Sequence, residues 1–257
     1  MIFFLEPMDT LFETIEKWHN NQPWGHFLDA GTGKHSMQWL LGLQTQSWTA
    51  ITGDIYRAKA LQSEFSQKIR SQDQIIHGNW LHQGFLEEQS FDVILADYLL
   101  GSIDGFAPYF QDQLFLRLVP HLAKGGQLYV IGLEPFDDRN TTPEGKIINQ
   151  ISKLRDACIL LAGHRCYREY PRSWVERKLQ EAGLHIEKSC DVPILFGPRY
   201  LNGQLDVCLR KLPFIGPPSL AEELRKKIES IRQQSLSFYE RNGPIRFGKD
   251  YIIKSSL

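Results

Sequence analysis

The chain has 257 residues, 42 % of them hydrophobic, and a formal net charge of −1. It is long enough to bury a sizeable core and carries no overall charge to draw it to nucleic acid or an anionic membrane. No apolar run approaches the ~20 residues of a membrane span, and the opening "MIFFLEPMDTLFETIEKW" meets acids early without a basic leader, which argues against a secretory signal. The four cysteines, Cys158, Cys166, Cys190 and Cys208, show no CxxC spacing. They are expected to be reduced thiols in a cytoplasmic protein, with no metal site and no disulfide framework.

Residues 8–21 repeat apolar side chains at helical spacing (Leu11, Phe12, Ile15, Trp18), with Asp9 or Thr10 as cap. "GHFLDAG" is a short buried strand that ends on Asp29 and turns at glycine. "KHSMQWLLGLQ" places Met37, Leu40 and Leu41 on a helical face. "WTAITGDIY" is a second strand ending at Asp54, and the helix after it buries Ala58, Leu61, Phe65 and Ile69. "QIIHGNW" and "FDVILADYLL" are the third and fourth strands. "YFQDQLFLRLVPHLAKGG" is expected to be a helix stopped by Gly125–Gly126, before a fifth strand, "QLYVIGLEP".

Beyond residue 136 a helix carries Ile147, Ile148, Ile151 and Leu154. Another starts near Pro171, with Ser173 as a possible cap, and ends at Gly183. "HIEKSCDVPILF" is a sixth strand. "YLNGQLDVCLRKL" fits either element and is taken as helix, "SLAEELRKKIESIRQQSLSFYERNG" is helix, and "KDYIIKSS" is a final antiparallel strand at or near an edge. Strands alternating with helices imply βαβ units. The expected fold is α/β: a Rossmann-like doubly wound sheet of about seven strands, mostly parallel with an antiparallel strand near the C-terminus. Helices cover both faces, with extra helices near the C-terminus. Ligands of such sheets bind beyond the carboxyl ends of the strands. Asp29, Asp54, Asn79, Asp97 and Glu134 all fall at those ends.

With these residues in this order, the chain resembles the class I S-adenosylmethionine-dependent methyltransferases, over roughly residues 10–195 and again at the last strand. The resemblance implies S-adenosylmethionine as cofactor, with S-adenosylhomocysteine as product. It implies a glycine loop of Asp29, Gly31 and Gly33 against the methionine part, and Asp54 on the ribose hydroxyls with Ile55 beside it. It further implies Asn79 with Trp80 at the adenine, and Asp97 with Tyr98 facing the methyl. His35 stands where the family often has a third glycine, and Asn79 where it often has Asp. The whole chain, 1–257, is taken as one methyltransferase domain. Within it, residues 1–22 form a helix over the cofactor site, and 199–242 form a helical insertion serving as lid or dimer surface. A nicotinamide-binding Rossmann protein would carry GxGxxG, but its third glycine position is Ser36. A non-catalytic binding module is the other alternative.

Two charge features bear on the acceptor. Between Arg70 and Arg117 there are seven acids and no Lys or Arg, whereas residues 146–178 hold eight Lys/Arg against three acids. Acids around Asp97 and Asp104 favour an amine, and Arg165, Arg168 and Arg172 suit a carboxylate or phosphate. Together they suggest an amine or amino-acid-like small molecule methylated on nitrogen, by a monomer or homodimer with no nucleic-acid or membrane partner. An O-methyltransferase, or an enzyme acting on protein or RNA, is the alternative. Asp97, Tyr98 and His35 are the catalytic candidates, with His164 as a further base. Tyr98, Glu134, Arg165, Tyr167, Arg168 and Tyr170 are the substrate-binding candidates.

Overall fold

The computed structural model describes residues 10–257. Asp9 and the first part of the expected 1–22 helix lie outside the described residues. Helix α1 (Thr10–His19) precedes strand β1 (His26–Asp29), α2 (Lys34–Leu40), β2 (Ser47–Thr52), α3 (Ile55–Phe65), β3 (Gln74–His77) and β4 (Phe91–Asp97). The short helices α4 (Leu99–Ser102) and α5 (Leu114–Leu118) lead to β5 (Leu122–Leu133). Then come α6 (Pro143–Leu161), α7 (Arg172–Glu181), β6 (His185–Phe196), α8 (Pro198–Lys211), α9 (Pro218–Asn242) and β7 (Ile245–Ser256).

The seven strands form one sheet in the order β3-β2-β1-β4-β5-β7-β6. β3, β2, β1, β4 and β5 pair in parallel, and β7 runs antiparallel to β5. The alternation along each strand sorts side chains to two faces, as a period of two requires. Leu28, Ile94, Ala96, Leu128, Val130, Tyr251 and Ile253 enter one core cluster, with Leu99 and Leu100 of α4, Leu114, Phe115 and Leu118 of α5, and Val175 and Leu179 of α7. Phe27, Val93, Leu95, Tyr129, Ile131 and Ile252 enter the other, with Leu11, Phe12 and Ile15 of α1, Met37 and Leu40 of α2, and Ala58, Leu61 and Phe65 of α3.

Contacts group the chain into two compact units. The first comprises the described residues up to Glu134, Arg168–Val192 and Asp250–Leu257. The second comprises Pro135–Tyr167 and Pro193–Lys249. Its core joins Ile147, Ile148 and Ile151 of α6 to Leu201, Leu205 and Cys208 of α8 and Ile228 and Ile231 of α9. Cys158 and Cys208 hydrogen-bond to each other there, and burial pushes the Cys208 thiol up to about 12. All four cysteines are free.

The expected helix before β5 is a correction. Only Leu114–Leu118 are α-helical, and β5 begins at Leu122, ahead of the glycine pair. Pro120 lacks an amide proton and ends the helix in a 3₁₀ turn. Gly125, at φ +79°, sits where the β4–β5 register shifts between Phe91 and Val93, so the pair forms an irregularity within the strand. Ser173 lies inside α7 and gives no capping bond; Pro171 occupies the cap position.

Candidate active site

Four backbone bonds extend the parallel ladders past the strands and hold their carboxyl ends together. Ala30 N donates to Leu95 O (2.8 Å), Thr32 N to Ile51 O (2.6 Å), Gly78 N to Thr52 O (3.0 Å) and Tyr98 N to Ile131 O (3.0 Å). Asp29, Gly31, Gly33, Asp54, Asn79, Asp97 and Tyr98 therefore stand along one edge of the first unit.

Asp29 is fully buried. Its Oδ1 accepts from Gly31 N at 3.4 Å, while its Oδ2 is buried with no hydrogen-bond partner. Burial raises its pKa to about 6, partly countered by Ser36, Thr32 and the Gly31 amide. The two glycines differ. A Cβ on Gly31 would lie 2.7 Å from Leu99 Cδ1, so the loop needs glycine there to seat against α4. At Gly33, which caps α2 in an extended conformation, a Cβ would meet only Arg57 Nη1 at 3.5 Å. His35 follows on the exposed side of α2, with its ring 5.1 Å from that of Phe12.

Asp54 does local work first. It is the N-cap of α3, and its Oδ1 accepts from Tyr56 N (2.8 Å) and Arg57 N (3.2 Å). The carboxylate is half-buried, and its other oxygen takes no part in the cap. Ile55 and Tyr56 beside it are exposed. Asn79 is committed to the protein at both ends: Oδ1 accepts from Leu81 N (3.0 Å) and Nδ2 donates to Phe106 O (2.8 Å). Trp80 is a core residue, 3 % exposed, whose Nε1 donates to Ala30 O at 2.8 Å and braces the Asp29 turn from below.

At the end of β4, Asp97 and Tyr98 are half-buried. Tyr98 starts α4 in the left-handed region, φ 45° and ψ 22°. That conformation is costly for a bulky side chain, and such strain concentrates where a side chain must be aimed. Of the seven acids in the stretch without Lys or Arg, Asp92 accepts from His26 N at the far end of β4, and Asp73 pairs with Arg70 (2.6 Å). Asp104 stays on the site side of the sheet, buried, and accepts from Gln111 Nε2 at 3.0 Å.

Among the expected substrate residues, Glu134, Arg168 and Tyr170 belong to the first unit, and Arg165 and Tyr167 to the second. Glu134 Oε2 accepts from Arg172 N (2.9 Å), and the Arg172 guanidinium is engaged by Asp191 (3.0 Å) and Glu176 (3.6 Å). Tyr170 packs on Trp174 at 4.4 Å between ring centroids and takes the Tyr251 hydroxyl on its carbonyl at 3.0 Å. Arg165, Tyr167 and His164 are exposed.

Three residues of this edge had no motif to announce them. The Phe106 ring lies on Gly53, the Glu169 carboxylate on Gly101 and the Tyr251 ring on Gly132. The available signal was the glycine in each case, set where a neighbouring strand or turn would otherwise bury a side chain. Among the described residues, no group of three or more His, Cys, Asp or Glu is placed to hold a metal, and no helix is long and apolar enough to cross a membrane.

No protein-family model matches the sequence, and no curated protein matches it. Solved structures do match. A candidate methyltransferase from Bacillus halodurans C-125 superposes with TM-score 0.60 at 17 % identity, over 95 % of this chain and 96 % of that one. Mycolic acid cyclopropane synthase, solved with S-adenosylhomocysteine, gives 0.56 at 14 % identity, over 99 % and 88 %. Coclaurine N-methyltransferase, solved with N-methylheliamine and S-adenosylhomocysteine, gives 0.51 at 11 % identity, over 99 % and 76 %. The strand order, the antiparallel pairing of β7 with β5 and these superpositions together establish that the chain has the fold of the class I S-adenosylmethionine-dependent methyltransferases.

Proposed function

We propose that the chain is an S-adenosylmethionine-dependent methyltransferase acting on a small amine or amino-acid-like acceptor. The observation that carries the cofactor is Asp29: a fully buried carboxylate with an unpartnered oxygen, beneath a glycine turn at the carboxyl edge of the sheet. When bound, S-adenosylmethionine supplies an electrophilic methyl carbon on a sulfonium. Asp29 gives a fixed negative charge beneath the positive methionyl portion, in a medium where that charge is weakly screened. Asp54 offers the oxygen not used in capping α3 to the ribose hydroxyls.

The chain's remaining task is alignment and exclusion of water. Asp97 and Tyr98, at the end of β4, receive the acceptor nitrogen. An ammonium must shed a proton before it can attack, and His35 is assigned to take it. The amine preference is supported by Asp97 and Asp104 on an edge that carries no Lys or Arg between residues 70 and 117. Arg168 is assigned to a substrate carboxylate; Arg172, tied to Asp191 and Glu176, is left out of that role.

Calorimetric titration with S-adenosylmethionine and S-adenosylhomocysteine, with NAD and NADP as controls, tests the cofactor. Micromolar binding of the first pair is expected, reduced at least tenfold in Asp54→Asn, which keeps the cap of α3. No binding of that pair to the intact protein overturns the proposal. The acceptor is tested by methyl transfer to amines and amino-acid derivatives against matched alcohols; turnover of the alcohols alone refutes the amine preference.

A further inference from the structure

We propose that the first unit carries a second ligand site, at the amino ends of β4 and β5, and that it takes an apolar amino acid as its zwitterion. The site is a cavity of about 320 Å³ between the loop that enters β4 and the turn that enters β5. That volume falls within the range of about 300–1,000 Å³ usual for small-molecule sites. Asp97 stands at the carboxyl end of β4, so the cavity opens on the opposite edge of the sheet from the residues assigned to cofactor and acceptor. Its walls are partly apolar. Phe85 is held edge-on against the buried Trp80, at 5.2 Å between ring centroids, and Leu116 of α5 is 52 % exposed.

The charges in this cavity point to its occupant. Arg117, Glu87 and Glu88 line the same space, yet among the described residues none of the three side chains has an ion-pair or hydrogen-bond partner. The glutamates are exposed, but Arg117 is half-buried, so its charge is partly desolvated without compensation. His121 also lines the cavity and is more than nine-tenths buried. Its Nδ1 lies 3.1 Å from the Gln89 carbonyl, which can only accept, so Nδ1 carries the proton and Nε2 of the neutral ring is an acceptor. Nε2 has no hydrogen-bond partner in the protein and is not sealed from solvent. A lone anion here would meet the glutamates, and a lone amine would meet Arg117. A zwitterion satisfies both. Its carboxylate takes the guanidinium fork, its ammonium has three donors for Glu87, Glu88 and His121 Nε2, and its apolar side chain covers Phe85 and Leu116.

Calorimetric titration of the full chain with L-leucine, L-methionine and L-phenylalanine, in the absence of S-adenosylmethionine, tests this. Saturable one-to-one binding of at least one of them is expected. Analogues of the best binder that lack the amine or the carboxylate (for leucine, 4-methylpentanoate and 3-methylbutylamine) should each bind about tenfold more weakly, the loss expected when one charge-assisted contact is removed. Arg117→Gln, and Glu87→Gln combined with Glu88→Gln, should each weaken the amino acid by a similar factor. These side chains have no partner in the protein to lose, so both variants should unfold at the wild-type temperature. Failure of all three amino acids to bind the wild type overturns the proposal. Full affinity in either variant also overturns it, since the amino acid then binds elsewhere, as an acceptor at the carboxyl edge would. Single-charge analogues that bind as tightly as the amino acid overturn the choice of a zwitterion. None of these results depends on binding of S-adenosylhomocysteine, so failure here leaves the methyltransferase reading standing.

Discussion

Replacing Asp29 by asparagine should make the protein more stable and a poorer binder of S-adenosylhomocysteine. The carboxyl is fully buried and its pKa is raised from an ordinary 3.8 to about 6, chiefly by desolvation. Each tenfold change in proton affinity is worth 1.36 kcal/mol, so keeping Asp29 ionised costs the folded state about 3 kcal/mol above pH 6. The folded state binds more protons than the unfolded one between pH 3.8 and 6, so this group's contribution to stability falls as pH rises through that window. Asparagine keeps an acceptor for Gly31 N, and its amide can donate to the Ser36 and Thr32 hydroxyls. A net gain of about 1–3 kcal/mol is expected at pH 8, or roughly 2–4 °C in Tm per kcal/mol. Thermal unfolding of wild type and Asp29→Asn from pH 4 to 8 reads the difference directly. The variant's advantage should be full at pH 8, shrink through pH 6 and vanish near pH 4. A variant less stable than wild type at pH 8, or an advantage independent of pH, refutes the burial argument. Stabilisation without loss of S-adenosylhomocysteine binding refutes the assignment of Asp29 to the cofactor.

Two further expectations concern the scaffold beneath the site. Gly31→Ala drives a Cβ to within 2.7 Å of Leu99 Cδ1 and 3.2 Å of Leu99 Cβ, which should destabilise by about 1–3 kcal/mol in denaturant titration. Adding Leu99→Ala should recover part of the Gly31→Ala loss, and strict additivity of the two changes would rule out the contact. His19 titrates in the opposite sense to Asp29. It stacks on Trp24 at 3.6 Å, its Nδ1 lies 3.1 Å from both Gln127 Oε1 and the Tyr129 hydroxyl, and burial lowers its pKa with a smaller contribution from Lys254. The unfolded chain binds the proton first, so stability should fall as pH drops below about 6.5. His19→Gln should flatten that part of the wild-type pH profile, and an unchanged slope would remove His19 as its source.

The alternating strands were legible because a two-residue period is local: Phe27 and Leu28, or Val93 and Ile94, go to opposite cores whatever surrounds them. The acids at the ends of β1 and β4, and Asp54 just past β2, were legible for the same reason, since the strand pattern itself marks where a strand stops. α8 and α9 followed from their helical periodicity. α5 misled because "QDQLFLRLVPHL" has helical spacing on both sides of Pro120, and the pairing of Leu122 with Phe91 claims the second half for the sheet.

The composition and order of the chain determined a doubly wound sheet with an acidic carboxyl edge. Tertiary structure alone decided what each polar residue is free to do. Asn79 and Asn149 are the same residue type, and so are Asp54 and Asp92. Asn79 holds a turn and Asn149 a neighbouring carbonyl; Asp54 caps a helix with one oxygen to spare, and Asp92 ties down the start of β1. Hydrogen-bond partners come from loops distant in sequence, and a polar atom is available to a ligand only when no such loop has reached it first.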